Sequence, residues 1–104
     1  MEKSRLETLE GFLAANPNDS FVRYGLAQEY LRQGQPAKAV EQFRDLLGRN
    51  ADYKAAYYHL GQALEKLGQT DEAREAYREG IEVTGRLGDE HARSELEAAL
   101  ELLG

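Results

Sequence analysis

The sequence predicts an all-α solenoid of about six helices, and three observations lead there. The first is recurrence. Displacing the chain by thirty-four residues superposes Tyr24, Leu26, Gln28, Gly34, Gln35, Ala39, Glu41 and Arg44 on Tyr58, Leu60, Gln62, Gly68, Gln69, Ala73, Glu75 and Arg78. The second is that apolar residues return at helical spacing, while no run alternates as a half-buried strand does. The third is punctuation: Asn16-Pro17, Gly34, Gly68 and Gly85 or Gly88 cut the chain into helix-length pieces. A unit this short cannot enclose its own apolar face, so tandem units must stack. Function then belongs to a surface rather than to a catalytic cleft.

Ser4 with Glu7 three residues later reads as a capping box, and Leu6, Leu9, Phe12 and Leu13 then share one helical face until Asn16-Pro17 ends the first helix. Asp19 or Ser20 caps the second helix, which runs to Gly34, a residue that accepts the left-handed conformation found where helices stop. Pro36 suits the first turn of the third, where its missing N–H has no partner to lose. Asp52 is the expected cap of the fourth helix and Gly68 its stop. Thr70 is the expected cap of the fifth, which ends near Gly85 or Gly88. Asp89 caps the sixth, in which Ala92, Leu96, Ala99, Leu100 and Leu103 form one stripe and Glu90, Arg93, Ser94, Glu97 and Glu101 face away. A helix with one apolar and one charged side closes a stack, so the domain reads as complete.

These residues resemble the tetratricopeptide repeat, whose pattern runs W-x2-L-G-x2-Y, then A-x3-F, then P. The second copy, Lys54 to Leu87, carries Tyr57, Leu60, Gly61, Leu64, Ala73 and Tyr77, with Gly85 in the place of the proline. The first, Ser20 to Tyr53, carries Arg23, Leu26, Ala27, Tyr30, Ala39 and Phe43, with Ala51 in that place. One period before Ala51 lies Pro17. The resemblance therefore divides a single domain into a half repeat at residues 1–19, repeats at 20–53 and 54–87, and a capping helix at 88–104. It implies a right-handed superhelix. Two departures, Arg23 for the opening aromatic and Leu46 for a small residue whose counterpart is Gly80, point to altered packing in the first repeat.

Within each unit the first helix is expected to bury Leu26, Ala27 and Tyr30, matched by Leu60, Gly61 and Leu64. Ala27, Gly61, Ala39 and Ala73 are small where helices approach, and Phe43, Leu47, Tyr77 and Ile81 fill the remaining space. Helical geometry sends Phe21, Tyr24, Gln28 and Leu31 to a different face, one too apolar for plain solvent. The resemblance implies that such positions line a concave groove that holds peptides. Carried over, the groove comprises Phe21, Tyr24, Gln28, Leu31 and Arg32 with Tyr58, Gln62, Glu65 and Lys66, and His59 beside it as a contact or neutral filler. Tyrosine supplies contact area with few torsions to freeze, and a glutamine amide can bond both the N–H and the C=O of a peptide backbone. Tyr24 and Tyr58 have an alternative, which is to pack between repeats. The carboxylate clamp known in the family is not present: Tyr24, Gln28, His59 and Asp89 stand where lysine and asparagine are required, and only Arg93 matches by count.

Composition narrows the partners. Thirteen basic against nineteen acidic residues give a net charge of −6, and nucleic acid or an anionic membrane needs a cationic footprint instead. There is no cysteine, hence no disulfide or thiolate metal site, and no unbroken apolar run for a signal or a spanning helix, so a cytoplasmic location is the default. A compact chain of 11.7 kDa exposes about 5,900 Å². His91 and Glu95, one turn apart, are two metal ligands without a third, and Ser94 lacks any oxyanion site. No glycine cluster forms a phosphate loop. The expected function is therefore non-catalytic binding of a protein or peptide, with no cofactor and no metal. The alternative is self-association as a homodimer or larger assembly through the groove or a terminal helix, Leu102 being the exposed apolar candidate.

Overall fold

Six helices follow one another through residues 4–104, which the structure, a computed structural model, describes: α1 (Arg5–Ala15), α2 (Ser20–Arg32), α3 (Pro36–Arg49), α4 (Ala55–Lys66), α5 (Thr70–Arg86) and α6 (Glu90–Leu103). Each packs on the next, and α2 touches α4 as α4 touches α6, so these three helices form a row along one side of the stack. The result is elongated, 46 × 28 × 20 Å. Its accessible surface of 6244 Å² exceeds that expected for a compact chain of its mass, as stacking in one dimension requires.

Most helix boundaries have a local cause. Ser4 accepts from the Glu7 N–H at 3.1 Å, Asp19 from Val22 at 3.0 Å and Asp89 from Ala92 at 3.1 Å, each silencing a donor that the first turn leaves unpaired. Pro36 opens α3. Gly34, Gly68 and Gly88 take φ of 73°, 74° and 74°, the left-handed stop that a side chain resists. Two expectations fail. Asp52 is not a cap, because α4 starts at Ala55 behind a tight turn and the Asp52 carboxylate instead pairs with Arg86 on α5 at 2.6 Å. Thr70 is already inside α5, whose cap position is Gln69 with no side-chain bond. Of the two stops offered for α5, Gly88 is the one used, while Gly85 lies inside the helix against the Arg93 side chain.

The core runs the length of the stack through Leu26, Ala27, Tyr30, Ala39, Phe43, Leu46, Leu60, Leu64, Ala73, Tyr77 and Leu96, all buried as the repeat requires. Leu47 and Ile81 are only partly covered. Gly61 is obligatory in this packing, since a Cβ there would stand 2.2 Å from the Tyr77 ring. At Gly80 a Cβ would meet Tyr57 at 2.6 Å and Leu96 at 2.9 Å. Two edges depart from expectation. Phe12 lies beside Leu9 at the edge of the Leu6, Leu9 and Leu13 face, outside the core, and is 59 % exposed, and Arg93 lies half-buried along α5 rather than facing away.

Arg23 has a structural explanation. Tyr57, its counterpart one period later, donates its hydroxyl to the Ala51 carbonyl at 2.6 Å, and Arg23 donates to the Pro17 carbonyl at 2.8 Å, again six residues upstream. The guanidinium keeps the bond that the aromatic makes and adds Gln42 at 2.9 Å and Asp45 at 2.7 Å on α3. Its five-donor fork allows all three from a buried position.

Candidate functional site

Along the row formed by α2, α4 and α6 runs a line of half-buried rings, Tyr53, Tyr24, His59 and Tyr58, that ends on the buried Tyr77 of α5. Tyr24 lies 5.3 Å from Tyr53 and 5.7 Å from His59, His59 lies 5.5 Å from Tyr58, and Tyr58 lies 6.4 Å from Tyr77, all centroid to centroid. Such spacings and tilts are those that aromatic quadrupoles favour. Tyr24 and Tyr58 do not meet; His59 stands between them. Both tyrosines rest on the core while keeping part of their surface open.

Two hollows flank Tyr58. One, about 330 Å³, is lined by Lys54, Tyr58, His59, Asp89, Ala92 and Glu95 among others. The other, about 460 Å³, is lined by Tyr58, Gln62, Glu65, Glu95, Ala98, Ala99 and Leu102. They share Tyr58 and Glu95, so they form one trough between α4 and α6. Burial lowers the His59 pKa, with Glu95 opposing more weakly, which keeps the imidazole neutral among the rings. Asp89 is held below the usual carboxylate range by its hydrogen bond from Lys54 at 2.7 Å and by the Ala92 N–H. Tyr24 and Tyr77 are raised by burial, Tyr77 also by the neighbouring Glu65 carboxylate, so both act as neutral phenols.

The polar residues expected to meet a ligand already have partners. Gln28 donates its amide to the Tyr24 hydroxyl at 2.9 Å, and Gln62 donates to the Tyr77 hydroxyl at 2.7 Å. Each glutamine thus retains its carbonyl oxygen for an incoming N–H and has less to donate than a free amide. Glu65 accepts from the Tyr77 hydroxyl. Arg32 is held by two hydrogen bonds to Glu29, which are also the main reason the Glu29 pKa falls. Lys66 is exposed and has no ion pair among the described residues. Leu31 packs against the core, and Phe21 is 76 % exposed at the α1 end of α2, away from the trough.

Glu95, Tyr53 and Tyr77 complete the site without having been expected there. Glu95 was within reach of the period, since it lies thirty-four residues after Gly61, but a carboxylate at a small-residue position reads as a helix that has left the pattern. Among the described residues no three His, Asp or Glu side chains converge as metal ligands, and His91 and Glu95 form an exposed pair at 3.0 Å. No helix among them is long and apolar enough to cross a membrane.

Comparison with known proteins agrees with this fold. A family model described as a tetratricopeptide repeat matches residues 24–86. A TPR repeat-containing protein of Pseudomonas aeruginosa is 30 % identical over 98 residues, covering 94 % of this chain and 93 % of the relative. The solution structure of a tetratricopeptide repeat domain protein from Salinibacter ruber is 40 % identical with a TM-score of 0.79, over 85 % of this chain and 89 % of that one. PcrH, solved in complex with the chaperone binding region of PopD, superposes with a TM-score of 0.88 over 94 % of this chain and 74 % of its own at 14 % identity, a likeness of fold.

Proposed function

Because the chain belongs to the tetratricopeptide repeat family, we propose that it is a non-catalytic binding module, an adaptor or scaffold, whose trough between α4 and α6 takes a segment of another protein. The observation that carries this reading is the continuous aromatic wall from Tyr24 through His59 to Tyr58, left partly open beside two joined hollows. An apolar or aromatic anchor of the ligand packs against Tyr58 and Leu102, and the carbonyl oxygen of Gln62 receives a backbone N–H, whereas Gln28 lines the separate groove between α1 and α2. Truncating such an anchor contact typically costs about 2 kcal/mol of binding. Glu65 and Glu95 face the trough while Arg32 is occupied by Glu29, so the preferred ligand is neutral or basic rather than acidic. On this reading residues 1–19 are a half repeat, 20–53 and 54–87 the repeats, and 88–104 the closing helix.

The test compares proteins retained from lysate by the wild type, by Tyr24→Ala/Tyr58→Ala and by Leu102→Glu. Circular dichroism first confirms equal helicity. Leu102 is 89 % exposed, so its substitution reports on the surface without disturbing the core. A partner kept by the wild type and lost by both folded variants supports the trough. Identical profiles for all three would return the tyrosines to packing alone.

A further inference from the structure

The thirty-four-residue period sorts the helices into two registers, α2, α4 and α6 in one and α1, α3 and α5 in the other. In the second register Leu9, Phe43 and Tyr77 are equivalent, as are Phe12, Leu46 and Gly80. In α3 and α5 all four of these positions are buried, where α3 packs on α2 and α5 on α4. In α1 the same face is open: Phe12 is 59 % exposed, and beside it on α2 stands Phe21 at 76 %. Between them runs a groove of about 400 Å³ lined by Leu9, Phe12, Phe21, Val22 and Gly25, with Arg5 at its edge.

We infer that this groove receives one amphipathic α-helix of a partner protein, seated on α1 as α2 sits on α3 and α4 on α5. The chain supplies the template for its occupant twice. Helices of 13 and 12 residues cover the equivalent surfaces, each with a buried Leu-small pair, Leu26-Ala27 or Leu60-Gly61, and Gly61 lies directly against the Tyr77 ring. A three-turn helix with such a pair on its apolar face would continue that interface outward. It would cover two exposed phenylalanines, the kind of residue that anchors helix-in-groove recognition.

Charge narrows the occupant further. Arg5 stands where α3 and α5 have Ala39 and Ala73, and its guanidinium lies 3.6 Å from Glu29. That carboxylate is already held by Arg32, so one buried anion faces two largely exposed guanidiniums and the edge of the groove keeps a net positive charge. The helix that fits carries acidic residues beside its apolar stripe. A second copy of this chain fits poorly. Its α6 has the right register but presents Ser94 and Glu95 where α2 and α4 present their Leu-small pairs.

The probe is a fluorescently labelled peptide of the α4 sequence, Ala55–Lys66, flanked by glutamates, with a Gly61→Glu version as control. It is titrated into the whole chain and into Phe12→Ser/Phe21→Ser, both substitutions being at exposed positions. Saturable binding that is weakened at least about tenfold in the double variant and by the control substitution, with amide shifts centred on Phe12 and Gly25, carries the proposal. Arg5→Glu should weaken the same probe. Absence of saturation, or equal affinity for the double variant, would overturn it. Shifts centred on Tyr58 and Ala98 would also overturn it while leaving the trough reading intact. A wild-type dimer that Phe12→Ser/Phe21→Ser converts to monomer would overturn it in favour of a second copy.

Discussion

Gly61 shows how closely one residue can bind sequence to packing. Adding a methyl group there places a carbon 2.2 Å from a ring that is itself fully buried and hydrogen-bonded at its hydroxyl, so neither side is free to retreat. Gly61→Ala should therefore destabilise the fold by about 1–3 kcal/mol despite alanine's better helix propensity, read as a lower urea midpoint. An unchanged or raised midpoint would show that Tyr77 yields. His59 makes the second prediction. Burial among Tyr24, Phe43 and Tyr58 lowers its pKa and outweighs the opposing Glu95 carboxylate at the hollow, where Lys54 and Asp89 also stand. The unfolded chain then takes up the proton first as pH falls past about 6.5. The stability it contributes is whole above that value and is lost as pH drops through the lowered folded value. Urea midpoints between about pH 7.5 and 5.5 should fall for the wild type and much less for His59→Phe. Parallel curves would remove His59 as the cause. Glu29 and Asp89, also lowered, act in the carboxylate range and stay outside this window.

Helix starts follow side-chain geometry more closely than residue type. Asp19 and Thr70 are both residues that favour caps, but only Asp19 accepts an N–H, whereas Thr70 lies one position too late. Asp19→Ala should cost about 1 kcal/mol and Thr70→Ala less than about 0.5 kcal/mol in equilibrium unfolding. Equal costs would mean that something other than capping sets these values. The same distinction accounts for Asp52. It precedes a helix but stands two residues before the cap position, Lys54, and its carboxylate pairs with Arg86 on α5. Caps and glycine stops at Ser4, Asp19, Gly34, Gly68 and Asp89 were legible because they act over three or four residues. Asp52 and Thr70 were not, because Asp52 is paired with a charge on another helix and the turn before Thr70 is one residue shorter than expected.

Across the whole molecule, stability is expected to be graded. α1 has no fully buried residue and packs only on α2, while α3, α4 and α5 are each held from both sides. In a one-dimensional stack the end unit opens first. Amide hydrogen exchange should be fastest in α1 and slowest in the centre, around Phe43, Leu64 and Tyr77. Uniform protection would indicate a single cooperative unit instead.

By itself the sequence determined the period, the six helices, and the small residues at Ala27, Gly61, Ala39 and Ala73. Those properties repeat every thirty-four residues or arise within one turn. Tertiary structure alone decided which polar groups on the row of α2, α4 and α6 remain free. Gln28, Gln62, Glu65 and Arg32 all project from the row as expected, and each finds a neighbour that the chain itself supplies. It also decided that Glu95 enters the trough and that Phe12 stays open beside Phe21. Periodicity tells which side of a helix a residue occupies. What it touches there is settled by the neighbouring helices, because a hydrogen bond or a buried ring depends on positions resolved to an ångström that no spacing along the chain encodes.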